Sequence, residues 1–230
     1  MKRLFPILGV LTAILLCYGL YQALVVAPTE QTMGDVQRIF YYHVPSAWTA
    51  FILFFINFVA SILYLVKRRS AQDMVALTTA GVGVVFLTVN LVTGPIWARP
   101  VWGIWWTWDW RLTSTLVMWL IYVSYLFLRR FSSGGQTPTL AAALAVLGAL
   151  CVPFVYFSIW FFRTQHPQPV IGGGGSIDPR MWHALLINWL AFSCFAFMVC
   201  WSRYRLEKLQ REVDEAHAMQ SLLAPRGGVR

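Results

Sequence analysis

The chain has 230 residues, of which 58% are hydrophobic and only 12% are charged, and its mean hydropathy is +0.61. A soluble domain carries roughly 25% charged residues, so this composition excludes a disordered chain, a secreted disulfide scaffold and an ordinary cytosolic enzyme. A polytopic membrane protein remains, and two of its features need an explanation: a net charge of +9 and twelve Trp residues.

Six stretches of the chain are long and apolar enough to cross a bilayer, which takes about 20 residues as a helix. The sequence therefore predicts an all-α polytopic membrane protein with six transmembrane helices. The first stretch is interpreted as a retained span, because it is long for a signal peptide and Pro28 follows its best cleavage-like site at Ala27. Pro153 lies inside the fifth stretch and predicts a kink there. The predicted spans are 4–26, 47–66, 74–94, 112–128, 140–162 and 183–201.

The distribution of Lys and Arg predicts the orientation. The N-terminus, the loops at 67–73 and 129–139 and the tail after residue 201 together hold 13 basic and five acidic residues, whereas the opposite side holds five basic and four acidic residues. An excess of Lys and Arg is typical of cytoplasmic loops, so both termini are predicted to be cytoplasmic. The net charge therefore reports topology and needs no nucleic-acid partner.

The predicted domain organisation is a membrane domain over 1–202 followed by a cytoplasmic tail over 203–230. Glu207 and Arg211 have the i,i+4 spacing of a helical ion pair, so the tail is predicted to begin as a helix. Two interpretations of the tail stay open, a solvated extension and a docking surface for a partner. The glycine run at 172–175 lacks the Lys-Ser/Thr of a phosphate-binding loop, so the sequence carries no ATPase motif.

Half of the Trp residues lie in one loop on the non-cytoplasmic side, between positions 97 and 110. An interfacial aromatic belt explains scattered Trp residues, but it does not explain six in one loop with Asp109 and Arg111 among them. A dense indole surface beside Arg suits a large flat ligand with acidic groups, because indole stacks on the ligand and guanidinium pairs with carboxylates. Porphyrin, with its two propionates, fits this description.

Three of the four histidines lie on the same face as the Trp loop. His43 precedes the second span, His166 follows the fifth and His183 begins the sixth, whereas His217 lies in the tail. Neutral imidazole is a common axial ligand of haem iron, so two of these side chains could hold one haem. The alternative is that each is a solvated, hydrogen-bonded residue at the membrane surface.

Five Arg residues on this face have two possible roles. They can bind an anionic ligand, or they can pair with the four acidic residues of the same face. Arg99 and Arg111 lie within the Trp loop itself and are the better candidates for the ligand. The five are Arg38, Arg99, Arg111, Arg163 and Arg180.

Other polar and sulfur-containing groups within the spans are interpreted as structural. All four Cys residues fall inside spans, and no C-x-x-C-H motif for covalent haem attachment occurs. Asn57 and Asn90, in the second and third spans, are expected to hydrogen-bond between helices.

Four segments of the chain have a recognisable pattern. They are Tyr41-x-His43-Val-Pro-x-Ala, Gly94-x-x-Trp97-x-Arg99-Pro-x-Trp102-Gly, Trp102-Gly-x-Trp105-Trp106-x-Trp108-Asp109-x-Arg111-Leu112-Thr113 and Ser176-Ile-Asp178-Pro. The third, within 95–113, resembles the WWD motif of the haem-handling proteins of cytochrome c biogenesis. Together the segments resemble the CcmC family, the C proteins of the cytochrome c maturation system. Two features depart from that family: Trp110 stands where a smaller residue is expected, and His183 has no recognised counterpart.

This resemblance implies a haem site at the periplasmic face of the bacterial inner membrane, with haem b bound as the transported ligand. Carried over by motif, His43 and His166 are the axial ligands of the iron, and His183 is the alternative to His166. Arg99 and Arg111 are candidates for the propionates. The surface against the haem edge, where a partner docks, is assigned to Trp102, Trp105, Trp106, Trp108 and Asp109.

The resemblance also implies partners. The family hands haem to a periplasmic haem chaperone and works among the membrane lipids beside an ABC-type ATPase subunit, a second permease-like subunit and a small single-span subunit. Haem delivery is therefore the first functional hypothesis, with any catalysis limited to positioning haem for attachment to the chaperone. Two alternatives stay open: a haem b anchor for electron transfer, and a permease or assembly subunit that binds no haem.

Overall fold

The computed structural model describes residues 4–132, 134–162, 164, 166 and 177–223. Each of its six α-helices is long and apolar enough to cross a membrane, and the described residues form no β-strand, so the predicted all-α, six-span membrane protein is confirmed. Arg163, the glycine run at 172–175 and Ser176 lie outside the described residues. The helices are α1 (Leu4–Tyr21), α2 (Phe40–Lys67), α3 (Ser70–Trp102), α4 (Trp110–Phe131), α5 (Thr137–Phe161) and α6 (Pro179–Leu223).

Helix α2 begins before the apolar stretch that predicts it. It starts at Phe40, directly after a short 3-10 helix at Asp35–Ile39, so His43 lies in its first turn. The chain between α1 and this 3-10 helix begins with a π-helical turn at Gln22–Val26. The residues that precede the second span are therefore held by helical structure, which gives the His43 side chain a defined position.

Helix α3 continues past its predicted end at residue 94 and includes two prolines before it stops at Trp102. Its end is set by Gly103, which has a left-handed φ of 76° and donates its N–H to the carbonyl oxygen of Arg99 at 3.0 Å. Only residues 103–109 separate α3 from α4. Much of the Trp-rich segment is therefore helical, and the loop itself is short. Helix α5 likewise runs through Pro153, where the kink stays a prediction.

The centre of the bundle is formed where α2, α3 and α4 pack together. Phe54 of α2 stacks on Tyr122 of α4, with ring centroids 3.8 Å apart and an angle of 9° between the rings. Gly83 of α3 lies against Phe54, since a Cβ atom at this position would be 2.6 Å from Phe54 Cε1. Asn57 donates to the carbonyl oxygen of Ala76 at 2.7 Å, which confirms the prediction that it links two helices.

A buried cluster of ion pairs, here called the Asp73 cluster, joins three helices at one end of the bundle. Asp73 of α3 accepts hydrogen bonds from Arg129 of α4 at 2.9 and 2.8 Å and from Arg211 of α6 at 2.6 Å. Arg211 also pairs with Glu207 at 2.8 Å, as the spacing predicts. Helix α6 passes residue 203 without a break. The tail therefore begins as a helix that contacts α3, while the domain boundary at 202/203 stays a prediction.

Candidate functional site

The end of the bundle opposite the Asp73 cluster holds a cavity of about 940 Å³. Its walls are the N-terminal parts of α2, α4 and α6 and the C-terminal parts of α3 and α5. The segments 28–33 and 104–107, together with Gln37, His166, Ile177 and Asp178, also line it. Ligand pockets in proteins have volumes of about 300–1,000 Å³. The cavity therefore has room for a large ligand.

Two of the candidate histidines meet in this cavity. The ring centroids of His43 and His166 are 6.5 Å apart, with an angle of 31° between the rings. His43 is buried in the first turn of α2, whereas His166 lies between α5 and α6. His183 is not in the lining; its Nε2 atom is 3.4 Å from the hydroxyl of Tyr18 on α1. The structure thus brings together the two histidines that the motif indicates and places the third elsewhere.

The Trp residues of the loop divide between two faces. Trp108 is outside the cavity lining, is 76% exposed and contacts Trp106 edge-on with ring centroids 5.8 Å apart. Trp110 is also outside the lining and stacks on Phe162 with ring centroids 4.7 Å apart. The loop therefore has a cavity face and an outward face. The predicted surface residues on the cavity face are Trp102, Trp105 and Trp106.

Arg111 lines the cavity, whereas Arg99, the other Arg candidate of the Trp-rich segment, does not. The Nη1 atom of Arg111 is buried and has no hydrogen-bond partner among the described residues. A buried donor left unpaired costs about 1–3 kcal/mol, or more if charged, and a carboxylate ligand would supply the missing acceptor. Arg99 instead donates to the carbonyl oxygen of Gly103 at the end of α3.

Two further Arg residues at this end pair with acidic neighbours, as one of the two sequence interpretations expects. Arg38 pairs with Asp35 at 3.1 Å and donates to two backbone carbonyls at the end of the first span, at 2.7 and 3.2 Å. Arg180 pairs with Asp178 at 3.2 Å. Hydrogen bonding to Arg180 lowers the pKa of the Asp178 carboxyl below its ordinary value. Arg180 also lines the cavity, whereas Arg38 does not.

Asp109 is outside the cavity lining and connects α4 to the segment that carries His166. Its Oδ1 atom accepts from the backbone N–H of Leu112 at 2.9 Å, as an N-cap residue does. Its Oδ2 atom accepts from the hydroxyl of Thr164 at 2.6 Å, and Thr164 Oγ1 accepts from the backbone N–H of His166 at 3.2 Å. The predicted surface residue thus belongs to a chain of hydrogen bonds behind the second histidine.

The sequence interpretation does not assign a site role to two residues that contact His43. Thr93 Oγ1 lies 2.9 Å from His43 Nδ1. Asn90 joins α3 to α2, as expected, but it does so at His43, where its Nδ2 atom donates to the backbone carbonyl at 3.2 Å. Asn90, Thr93 and Trp97 share one helix face by their spacing of three and four residues. The predicted span ends at residue 94, so Trp97 joins this face only when α3 is extended past that residue.

Comparison with known proteins places the chain in a family. A family model described as Heme exporter protein C (CcmC) matches residues 1–219. The chain belongs to the heme exporter protein C family. The resemblance carried by the Trp-rich loop and its neighbouring segments is thereby confirmed.

Relatives of the heme exporter protein C family match over most of their length. Heme exporter protein C of Bradyrhizobium diazoefficiens is 35% identical over 222 residues, which cover 95% of this chain and 84% of the relative. That of Haemophilus influenzae is 30% identical over 213 residues, covering 91% and 87%. A ccmC-like mitochondrial protein of cytochrome c biosynthesis from Marchantia polymorpha is 32% identical over 181 residues, covering 78% and 76%.

Proposed function

We propose that this chain binds haem in the cavity between His43 and His166 and presents it at the periplasmic face of the bacterial inner membrane for cytochrome c maturation. The observation that carries the proposal is the pairing of these two histidines, from distant segments of the chain, inside one large cavity. The names of two relatives support haem as the cargo: one is heme exporter protein C, and the other is a ccmC-like protein of cytochrome c biosynthesis.

The spacing of the two imidazoles fits one iron between them. An imidazole nitrogen binds a metal ion at about 2 Å, so two rings on opposite sides of one ion have centroids about 6 Å apart. The centroids of His43 and His166 are 6.5 Å apart. In the described part of the chain, no three His, Cys, Asp or Glu side chains cluster as ligands of a bare metal ion. Two axial imidazoles suit haem, whose porphyrin supplies the remaining donors.

The other groups of the cavity suit a porphyrin. Trp102, Trp105 and Trp106 provide indole surface for a flat macrocycle. We propose that Arg111 binds a propionate of the haem, because its Nη1 atom is buried and has no hydrogen-bond acceptor among the described residues. Arg99 is outside the cavity lining, so this proposal assigns it no propionate.

The outward face of the Trp loop suits a protein partner. Trp108 and Trp110, which lie outside the cavity lining, are each more than half exposed, at 76 and 54%. Trp is enriched among the residues that dominate binding energy in protein interfaces. We assign this face to the docking of a periplasmic haem chaperone, while an ABC-type ATPase subunit, a second permease-like subunit and a small single-span subunit complete the assembly.

Absorption spectra of the purified protein loaded with haemin test the ligand assignment. The wild type is expected to show the Soret and visible bands of a haem with two imidazole ligands. His43→Ala and His166→Ala are each expected to lose that spectrum and to weaken haemin binding at least tenfold, since each removes a metal ligand. His183→Ala is the matched control and is expected to bind as the wild type does.

Four outcomes would contradict the proposal or part of it. An unchanged spectrum in His43→Ala would show that His43 is not a ligand. If His183→Ala lost the two-imidazole spectrum and His166→Ala kept it, His183 and not His166 would be the second ligand. Protein free of haem after haem-replete expression would favour a permease or assembly subunit. Reversible reduction of the bound haem by a quinol at turnover rates would favour an electron-transfer anchor.

A further inference from the structure

His43 is held by a hydrogen bond that selects one tautomer of its imidazole. Thr93 Oγ1 lies 2.9 Å from His43 Nδ1 and 2.7 Å from the carbonyl oxygen of Val89, one turn earlier in α3. A carbonyl oxygen can only accept, so the Thr93 hydroxyl donates its proton to Val89 and keeps a lone pair for the imidazole. Nδ1 is therefore the protonated nitrogen, and Nε2 retains the lone pair that a metal ion needs.

Asn90 fixes the position of the same ring. Its Nδ2 atom donates to the backbone carbonyl of His43 at 3.2 Å, which orients its NH₂ group towards the imidazole. That nitrogen lies 3.1 Å from Nε2 and 3.4 Å from Nδ1, so with Nδ1 protonated its second N–H donates to the Nε2 lone pair, a hydrogen bond that iron would replace on binding. Trp97 contacts the ring edge-on, with centroids 5.7 Å apart. Three residues on one face of α3 thus contact the His43 side chain.

We propose, on the basis of the proposed function, that Thr93 is a positioning residue that holds His43 in the Nδ1-protonated tautomer for coordination of haem iron through Nε2. Thr93 is not part of the cavity lining, so it acts through His43. Histidines that bind metals usually donate their other ring N–H to an oxygen acceptor, and loss of that acceptor lowers metal affinity about 10- to 100-fold.

The first test needs no haem. In haem-free protein labelled with ¹⁵N-histidine, the resonances missing from His43→Ala identify His43, and their shifts are expected to be those of a neutral imidazole protonated at Nδ1. Thr93→Val keeps the side-chain volume but removes the acceptor, so it is expected to move the population towards the Nε2-protonated tautomer. Thr93→Ser is expected to restore the wild-type shifts. A His43 protonated at Nε2 in the wild type, or unaffected by Thr93→Val, overturns the inference.

The second test is a haemin titration combined with a measurement of the haem reduction potential. Thr93→Val is expected to raise the Kd for haemin about tenfold or more while two imidazoles remain bound. It is also expected to make the potential more positive, because imidazole without the acceptor is a weaker donor. Thr93→Ser is expected to restore both. Thr79→Val is the matched control, since Thr79 is buried in the same helix and its hydroxyl donates to Val75, 2.8 Å away.

The outcomes separate this inference from the proposed function. Wild-type protein that binds no haemin overturns both. Wild-type binding with an unchanged Kd and potential in Thr93→Val overturns the role of Thr93 alone. An equal loss of haemin affinity in Thr79→Val and Thr93→Val shows that loss of any hydroxyl in α3 weakens binding. That result overturns the positioning role of Thr93 as well.

Discussion

The Asp109 carboxylate uses its two oxygens for two different structures. One oxygen caps α4, where a negative charge also interacts favourably with the positive end of the helix dipole. The other accepts from Thr164, two residues before His166. The second histidine lies between two helices, so its position depends on such a connection to a rigid element. The aspartate of the Trp-rich loop therefore acts on the candidate site through the backbone of the neighbouring segment.

Removal of the Thr164 hydroxyl is expected to weaken haemin binding without removing a ligand. Thr164→Val eliminates the two hydrogen bonds that the Thr164 hydroxyl makes to other described residues. A hydrogen bond to a charged group contributes about 1.5–3 kcal/mol, so a roughly tenfold rise in Kd is expected by haemin titration. Thr79→Val is the control, because Thr79 is buried in α3 outside the cavity lining and its hydroxyl donates to Val75 at 2.8 Å. Equal affinity of Thr164→Val and wild type would contradict this role.

At the scale of elements, α3 connects the two ends of the bundle. Its first turn carries Asp73, which is bound by Arg129 of α4 and Arg211 of α6. Its C-terminal part carries the residues that surround His43. Between these ends Gly83 allows close contact with Phe54 of α2. The helix is thus fixed along its length, and its placement determines the geometry at the first histidine.

Gly83→Ala is expected to destabilise the protein by about 1–3 kcal/mol, the usual cost of overpacking. The added Cβ would lie 2.6 Å from an atom of the Phe54 ring, which is stacked on Tyr122 and has little freedom to move. Gly81→Ala is the matched control in the same helix, since the nearest atom there is 4.0 Å from the added Cβ. Unfolding by SDS in mixed micelles would measure both, and equal stability of the two variants would contradict the close crossing.

At the scale of the whole molecule, the two ends of the bundle differ in structure and in charge. One end has the Asp73 cluster and the tail of α6, and its loops contain most of the Lys and Arg residues. The other end has the cavity and the outward Trp residues. Since Lys and Arg favour the cytoplasmic side, the charge difference supports a cavity that opens towards the periplasm, as the proposed function requires.

Single cysteines test this orientation in a variant whose four native Cys residues have been replaced. Gln31→Cys and Gly135→Cys each lie at exposed positions, on the cavity end and the opposite end respectively. A membrane-impermeant maleimide added to spheroplasts is expected to label Gln31→Cys directly. Gly135→Cys is expected to react only after the inner membrane has been permeabilised. The reverse pattern would invert the topology and contradict presentation of haem to the periplasm.

The sequence by itself determined the six spans, because the thickness of a bilayer demands about 20 apolar residues for each helix and few other folds can tolerate so little charge. It also indicated His43, His166 and the Trp-rich loop as candidates for the site, since their local pattern is specific, and haem binding by them stays a prediction. Hydropathy did not reveal where α2 begins or where α3 ends. Those boundaries depend on polar and aromatic residues near the membrane surface, which a measure of apolar character does not register.

Only the tertiary structure decided which contacts each polar residue makes. It placed Arg111 in the cavity and Arg99 at a helix end, separated His183 from the other two histidines, and gave Asp109 a connection to the segment of His166. It also brought Thr93 to His43, fifty positions earlier in the chain. Such contacts join residues far apart in sequence, and they depend on the rotation and depth of each helix. Packing against neighbouring helices sets both quantities, and composition does not encode them.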